Sequence, residues 1–224
     1  MGKVIAFVNS KGGGGKTTFA WQLGNVWSAA GKKVLLIDTD PQGTLSIFYA
    51  KWATRPERPG AGQDKGSMEG ISESLGRLDT RLKRARAEDW DFIVIDTPGR
   101  LAELGPAIRA ADLIVSPIQP AGADYAAFNE TVGAVMEYRR EDRILAIPNR
   151  VKTNIQASDC RRTLAAILQG RGHLFEDQVG DWVGMSRYTL QGLSLVDHVG
   201  ANDKEMVMME AIANRIEEMI DGRP

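Results

Sequence analysis

The sequence predicts an α/β fold in which helices cover both faces of a doubly wound, mainly parallel sheet. Short, continuously apolar runs alternate along the chain with segments of helical periodicity. Continuous rather than alternating hydrophobicity is typical of strands that are buried on both faces, as in parallel sheets. Ligands of such sheets bind at the carboxyl ends of the strands. The runs that predict strands are residues 4–8, 34–37, 92–95, 113–115 and 144–147.

The length and composition fit one globular domain that covers residues 1–224. With 43% hydrophobic and 25% charged residues, the chain can build a sizeable core. A single cysteine, Cys160, excludes an intramolecular disulfide framework and a cysteine-ligated metal or iron–sulfur cluster. Because the net charge is −1, nucleic-acid binding would need a local basic patch or an assembled dimer. We find no membrane-spanning run and no signal peptide, and we expect a cytoplasmic protein.

Helical periodicity fills the intervals between the apolar runs. The first helix follows residues 9–18 and ends at Gly31. Residues 54–67 are polar and rich in proline and glycine, which predicts a surface loop rather than a domain boundary. The apolar stripe of the last helix, which includes Met206 and Met209, predicts core packing rather than a membrane or partner helix. The helices predicted after this loop cover residues 68–87, 124–140 and 202–221.

A glycine-rich loop directly after the first apolar run predicts a phosphate-binding site. Residues 9–18 read Asn-Ser-Lys-Gly-Gly-Gly-Gly-Lys-Thr-Thr. Glycines allow successive backbone N–H groups to surround phosphate oxygens, and the following helix directs its positive end at the same anion. Lys16 can reach the β- and γ-phosphates, and the Thr17 hydroxyl can bind Mg²⁺. The predicted nucleotide-binding residues of the loop are Gly12, Gly13, Gly14, Gly15, Lys16, Thr17 and Thr18.

The loop departs from the strict phosphate-loop pattern at one position, because Ser10 stands where that pattern requires glycine. The variant pattern Lys11-Gly-Gly-x-Gly-Lys-Thr-Thr is intact. This variant is the deviant Walker A loop, and with it the chain resembles the ParA/MinD-like partition ATPases. The resemblance extends over essentially the whole chain and is closest to the small ParA/ParF branch. It implies an ATPase that uses ATP and Mg²⁺.

Two acids follow the second apolar run. Asp38 and Asp40 lie in the segment Asp-Thr-Asp-Pro-Gln-Gly, where Pro41 and Gly43 interrupt regular structure. A loop at this strand end can approach the γ-phosphate. The resemblance assigns the orientation of the attacking water to Asp40 and places Asp38 near the Mg²⁺ shell. Without the preceding phosphate loop, the same pair would predict only a turn with capping acids.

A third acid ends the next apolar run. Asp96 terminates four apolar residues, as in a Walker B strand, and can hold Mg²⁺ through water because this hard cation prefers carboxylates and keeps several waters. Gly99 follows in Asp-Thr-Pro-Gly and can offer a backbone N–H to the γ-phosphate. Residues 97–101 are therefore predicted to form a switch that senses the nucleotide.

A weaker signal follows the fifth run. In the ATPases that this chain resembles, an Asn-Arg pair at this place lies beside the adenine, which corresponds to Asn149 and Arg150. Asn149 can hydrogen-bond a base edge. A simple turn is nearly as good an interpretation of Pro-Asn at a strand end.

Only the resemblance suggests a function for Lys11, the second lysine of the loop, because Lys16 already supplies the lysine that a phosphate loop needs. In that family the extra lysine crosses the dimer interface and contacts phosphates bound by the other subunit. Together with Lys16 and Asp40, it makes up the predicted catalytic set. The resemblance thus implies an ATP-dependent homodimer with slow intrinsic hydrolysis, which a ParB/ParG-like adaptor protein and DNA would stimulate.

The family contains several activities, and the sequence favours partition or cargo positioning. Iron–sulfur carriers need more cysteines than Cys160. The C-terminal residues 215–224 are mixed in charge and end in helix breakers, unlike the basic membrane helix of MinD proteins, so we expect no membrane binding. The alternatives are a metabolic ATP-dependent phosphotransferase or ligase, and a MinD/FlhG-like membrane-associated switch.

Partition ATPases of the small type bind nonspecific double-stranded DNA when they are dimeric and ATP-bound. The resemblance therefore implies a nucleoid-associated protein that segregates or positions a cargo such as a plasmid or chromosome. Among the basic residues of the chain, we select three as candidate DNA contacts: Arg161, Arg162 and Arg187.

Overall fold

The fold is that of a computed structural model, which describes residues 2–55, 66–200 and 203–222. Most of the loop predicted over residues 54–67 lies outside the described residues. Within them, parallel strands form one sheet with the order β3-β2-β4-β1-β5-β6-β7. Their bounds are Lys3–Phe7 (β1), Val34–Asp38 (β2), Met68–Ser72 (β3), Phe92–Asp96 (β4), Leu113–Ile118 (β5), Ile144–Pro148 (β6) and His173–Leu174 (β7).

Helices flank this sheet on both faces, and the doubly wound α/β fold predicted from the apolar runs is confirmed. The five predicted strands correspond to β1, β2, β4, β5 and β6, and β3 and β7 were not predicted. Among the described residues every strand pairing is parallel, where the sequence predicted a mainly parallel sheet. The helices are Lys16–Ala29 (α1), Thr44–Ala53 (α2), Leu78–Ala87 (α3), Gly105–Ala110 (α4), Gly122–Glu137 (α5), Asn154–Leu168 (α6), Val183–Leu190 (α7), Leu195–His198 (α8) and Lys204–Asp221 (α9).

Two apolar cores lie on opposite faces of the sheet. One packs α1, α2, α7, α8 and α9 against side chains such as Ile5 and Val94. The other packs α3, α4, α5 and α6 against the alternate residues, such as Val4 and Ile95. Because successive side chains of a strand point to opposite faces, both cores draw on the same strands. This burial on both faces explains the continuous apolar runs of the sequence.

The helix predicted over residues 68–87 is wrong in its first part. Residues Met68–Ser72 form the edge strand β3, which pairs with β2 from Val34↔Met68 onwards, and the α-helix begins only at Leu78. Gly70 lies against α2, where a Cβ would come within 2.4 Å of the Tyr49 ring. Packing under α2 therefore overrides the helical spacing of the apolar residues.

The last helix confirms the predicted core packing. Its apolar stripe is buried, and α9 packs against α1 on one face of the sheet. The helix begins at Lys204, next to its N-cap Asp203, whose side chain accepts a hydrogen bond from Glu205 N–H. Across the described ranges, no helix is long and apolar enough to pass through a membrane.

Candidate active site

The three predicted sequence motifs meet at the carboxyl ends of neighbouring central strands. Strands β2, β4 and β1 are neighbours, and their register places Asp38 beside Asp96 and Asp96 beside Phe7. The phosphate loop begins directly after β1. The carboxyl ends of these strands therefore surround one cavity of about 360 Å³, which is large enough for a nucleotide. Its lining includes Gly12, Gly13, Gly15, Lys16, Thr17, Thr18, Asp40, Pro98, Gly99 and Arg150.

Lys16 directs its ammonium group into the loop. Its Nζ donates to the Lys11 carbonyl oxygen at 3.1 Å, and the residue is only 6% exposed. Burial lowers the pKa of Lys16, while the neighbouring carboxylates of Asp96 and Asp40 raise it and favour the charged form. A cation held at this depth is suited to phosphate oxygens, which would replace a backbone carbonyl as its partner.

The glycines of the loop meet steric and conformational demands. Gly15 has φ +105°, and a Cβ on it would lie 2.7 Å from the Asn149 amide nitrogen. Gly13 also has positive φ, at +83°. Alternation into the left-handed region lets adjacent N–H groups converge on one anion, which is the geometry of a phosphate-binding loop. Helix α1 then begins at Lys16 with its positive end beside the same cavity.

A magnesium ion fits the pair formed by Thr17 and Asp96. The Thr17 hydroxyl donates to Asp96 Oδ2 at 2.7 Å, and Thr17 lines the cavity. The other oxygen, Asp96 Oδ1, is buried and has no hydrogen-bond partner among the described residues. An unpartnered buried carboxylate oxygen is costly unless a cation or its water occupies it. Both side chains are thus suited to hold Mg²⁺ beside the phosphates.

The buried Asp96 carboxyl predicts an unusual pH dependence of stability in the nucleotide-free protein. Burial raises its pKa to about 7, so the folded state binds this proton more tightly than the unfolded state does. As the pH rises, the unfolded chain therefore loses this proton at a lower pH than the folded protein does. Between these two pKa values the folded state alone must keep the proton or bear the cost of a buried charge, so the free energy of unfolding should fall by about 2–4 kcal/mol from about pH 4 to about pH 7. Urea unfolding at several pH values measures this change.

Asp96→Asn provides the control, because asparagine cannot ionise. In that variant the decline between pH 4 and 7 should largely disappear, apart from a smaller contribution of the same sign from Asp38, whose pKa burial also raises. Parallel pH profiles of the variant and the parent would contradict the assignment.

Asp38 and Asp40 have different surroundings despite their spacing of two residues. Both oxygens of the buried Asp38 accept backbone N–H groups, from Asp40 at 3.1 Å and from Ser46 at 2.8 Å. Asp38 therefore fixes the loop between β2 and α2. Asp40 lines the cavity, and its Oδ1 accepts the Gln42 N–H at 2.9 Å. Asp40 is thus the acid that faces the phosphate site.

The segment after β4 touches the phosphate loop. A Cβ on Gly99 would lie 2.6 Å from the Gly12 nitrogen, so only glycine fits between the two loops. Thr97 fastens the start of the segment by donating to the Phe7 carbonyl at 2.6 Å. A movement of the phosphate loop would therefore displace residues 97–101 through this contact, which is what a nucleotide-sensing segment requires.

Asn149 links the phosphate loop to the end of β6. Its amide Nδ2 donates to the Gly14 carbonyl at 2.9 Å, and its Oδ1 accepts the Arg150 N–H. The side chain is 2% exposed and lines a small pocket beside Gly15. Trp182, from the segment before α7, lines the same pocket and was not singled out by the sequence. Asn149, Arg150 and Trp182 are the groups that a base beside this loop would meet.

Lys11 lies outside the cavity of its own subunit. Its Nζ forms an ion pair of 2.6 Å with Asp124 Oδ2, and the two side chains are 41% and 5% exposed. The sequence did not identify Asp124, because nothing in the spacing of α5 indicates which of its acids faces the loop. Gln119, also missed, donates to the Gly13 carbonyl at 2.6 Å.

The three candidate DNA contacts do not form one patch within the subunit. Arg161 and Arg162 lie on α6, whose apolar residues pack into one core, whereas Arg187 lies on α7, which packs into the other. The sheet thus separates them. Arg161 donates to Gln178 at 2.6 Å, Arg162 pairs with Asp159 at 2.8 Å, and Arg187 is exposed.

The fold and the cavity together define a P-loop nucleotide-binding protein with a deviant Walker A loop. Residues 5–195 match the model of the CobQ/CobB/MinD/ParA nucleotide binding domain. The chain therefore belongs to this family, which confirms the resemblance identified from the loop.

Relatives of this family cover much of the chain. The maintenance of carboxysome distribution protein A of Gloeobacter kilaueensis is 34% identical over 223 residues, which are 98% of this chain and 94% of that protein. The sporulation initiation inhibitor protein Soj of Bacillus subtilis is 33% identical over 150 residues, 53% of this chain and 59% of that protein.

Solved structures share the fold. Apo McdA of Cyanothece superposes with a TM-score of 0.70 at 20% identity and covers 99% of this chain and 98% of that one. MinD of Aquifex aeolicus gives 0.72 at 18% identity, with 99% and 98% covered. The pNOB8 ParA bound to nonspecific DNA gives 0.67 at 19% identity over the full length of both chains. At these identities the likeness shows the fold alone.

Proposed function

We propose that this chain is an ATP hydrolase that dimerises on ATP, binds nonspecific double-stranded DNA as a dimer, and positions a cargo on the nucleoid. The observation that carries the proposal is the separation of the two loop lysines. Lys16 lies within its own cavity, whereas Lys11 lies outside it and is partly exposed. The Lys11 ammonium can therefore contact a nucleotide that a second subunit binds, and this contact is the function that we propose for Lys11.

Within each subunit, different residues bind the phosphates, hold the metal ion and orient the water for phosphoryl transfer. The backbone N–H groups of residues 12–18 and the Lys16 ammonium bind and orient the phosphates. Thr17 and Asp96 would hold Mg²⁺, with Asp38 near its shell, and the bound ion would supply positive charge beside the phosphates. Asp40 orients the attacking water, and Asn149 and Arg150 contact the base.

In the dimer, the Lys11 side chain of each subunit contacts the phosphates of the other. This contact stabilises the charge of the transition state only when two subunits meet. Two exposed apolar side chains near the cavity support such a contact face. Leu101 directly follows the lining residue Arg100, and Ile47 lies in the first turn of α2, whose Thr44 also lines the cavity. Intrinsic hydrolysis is slow, and a ParB/ParG-like adaptor accelerates it.

The names of the relatives support a positioning or partition role without naming the cargo of this chain. The protein of Gloeobacter kilaueensis that matches nearly the whole chain is named for the maintenance of carboxysome distribution, and Soj proteins are named for chromosome partitioning and sporulation. We therefore propose that this chain spaces or segregates a large cellular cargo. Stimulation by a small metabolite, or by anionic lipid, would instead support a phosphotransferase or ligase, or a MinD/FlhG-like switch.

DNA binding provides the test of this function. With ATP, Mg²⁺ and hydrolysis blocked by Asp40→Ala, we expect the protein to retain a nonspecific duplex at low salt, and to release it steeply as salt rises because phosphate contacts displace counterions. Filter binding or fluorescence anisotropy over a salt series measures this. Equal retention with ATP and ADP, or none at low salt, would refute the proposal.

Arg162→Ala identifies the DNA-contacting surface in the same assay. Loss of one phosphate contact per subunit should lower the slope of log K against log salt by about one for each contact. Arg84→Ala is the matched control, because Arg84 and Arg162 are 80% and 79% exposed and each pairs with an acid on its own helix or at its end.

A further inference from the structure

We propose that Asp124 is a positioning residue that restrains Lys11 in the free subunit and competes for it with the phosphates bound by the partner. Dimerisation on ATP then exchanges one anionic partner of Lys11 for another. The inference rests on the proposed role of Lys11 across the dimer interface and adds to it a residue that sets how readily the dimer forms.

The contact between the two side chains is close and asymmetric. Lys11 Nζ lies 2.6 Å from Asp124 Oδ2, a distance typical of a strong, charge-assisted hydrogen bond. The Asp124 side chain is 5% exposed, whereas that of Lys11 is 41% exposed. The carboxylate is therefore fixed in the protein, and the ammonium group approaches it from the solvent side. Of the two groups, only Lys11 can move away.

The backbone on either side of Lys11 is held against the same part of the chain. Ser10 N–H donates to Thr131 Oγ1 at 3.0 Å, and Ser10 Oγ donates to the Ala127 carbonyl at 2.9 Å. On the other side, Gln119 donates to the Gly13 carbonyl. Release of Lys11 from Asp124 therefore requires rotation of one side chain and no rearrangement of the loop. Such a movement is fast compared with slow hydrolysis.

Asp124 keeps one favourable interaction after Lys11 leaves. It lies in the first turn of α5, which begins at Gly122, where the N-terminal end of a helix favours a negative charge. The helix end therefore offsets part of the cost of a buried carboxylate that has lost its lysine. While the pair is intact, the Asp124 carboxylate offsets the positive charge that would attract the partner's phosphates. The ion pair thus favours the separate subunits.

The test measures the dimer dissociation constant by sedimentation at saturating ATP and Mg²⁺, in protein whose hydrolysis is blocked by Asp40→Ala. Asp124→Asn removes the charge with almost no change in shape. An ion pair that keeps one solvent-exposed partner, as Lys11 is here, contributes about fivefold to an equilibrium. Since each dimer would release two pairs, we expect Asp124→Asn to lower the dissociation constant by up to about 25-fold. An unchanged or raised constant would overturn the inference.

Glu130→Gln is the matched control, because Glu130 lies on the same helix and near the same loop, where it accepts a hydrogen bond from Ser10 Oγ at 3.3 Å, but does not pair with Lys11. It should leave the constant within about twofold of the parent. Asp124→Ser serves in the same assay if the asparagine variant does not fold, as judged by nucleotide-free thermal unfolding.

A double variant separates this inference from the proposed function. If Asp124 acts through Lys11, Asp124→Asn should have no effect on dimerisation in a Lys11→Ala background. A gain that persists there would overturn the inference. If Lys11→Ala alone leaves ATP-dependent dimerisation intact, the proposed role of Lys11 itself is refuted. If Lys11→Ala weakens dimerisation while Asp124→Asn gives no gain, only the restraint by Asp124 is refuted.

Discussion

Replacing Asp40 with alanine should leave ATP binding intact, lower the rate of hydrolysis by about 10²–10⁴-fold, and trap the dimer on DNA. The expected loss is that of a group that positions or accepts a proton in the transition state. Nucleotide affinity should be kept or improved, because the Asp40 carboxylate is one of the negative charges near Lys16, and its removal makes the cavity more favourable for phosphate.

Single-turnover hydrolysis together with fluorescence titration of nucleotide separates these effects. Asp38→Asn is an informative comparison. Asp38 is buried and fixes the loop through two backbone hydrogen bonds, whereas Asp40 accepts one, so Asp38→Asn should lower thermal stability more than Asp40→Ala does. Hydrolysis by Asp40→Ala within about threefold of the parent rate would contradict the assignment of the attacking water to this acid.

Replacing Lys11 with alanine should strongly weaken ATP-dependent dimerisation while the single subunit still binds ATP. The subunit keeps its affinity because Lys16 and the loop backbone, not Lys11, line the cavity. Removal of a charge that contacts phosphate across an interface typically costs several kcal/mol, so the dimer dissociation constant should rise at least about 100-fold. Sedimentation with ATP and Mg²⁺ measures this change, and steady-state hydrolysis should fall with it.

Lys33→Ala is the control for this variant. Lys33 is also a partly exposed lysine in an ion pair, here with Asp89, but it precedes β2 and so lies at the opposite end of the strands from the cavity. It should dimerise as the parent does. Unchanged dimerisation of Lys11→Ala would refute the two-lysine explanation of the loop and, with it, the observation on which the proposed function rests.

The sequence determined the parallel sheet and the nucleotide site because both depend on local patterns. Strands buried on both faces must be continuously apolar, and a loop that binds phosphate must place glycines and Lys16 at fixed spacing. Asp96 ends such a strand, and Asp40 lies two residues after another. Because parallel strands have their carboxyl ends on the same side of the sheet, the sequence alone predicted that the three motifs would meet there.

Only the tertiary structure decided features that depend on residues far apart in the chain. The edge strand β3 pairs with β2, and its Gly70 lies against Tyr49 of α2, although its apolar residues have helical spacing. The separation of Arg162 from Arg187 by the sheet, and the contact of Asp124 with Lys11 across 113 residues, leave no trace in local spacing. Sequence patterns report burial and backbone conformation, whereas the partner of a polar side chain is set by how distant elements pack.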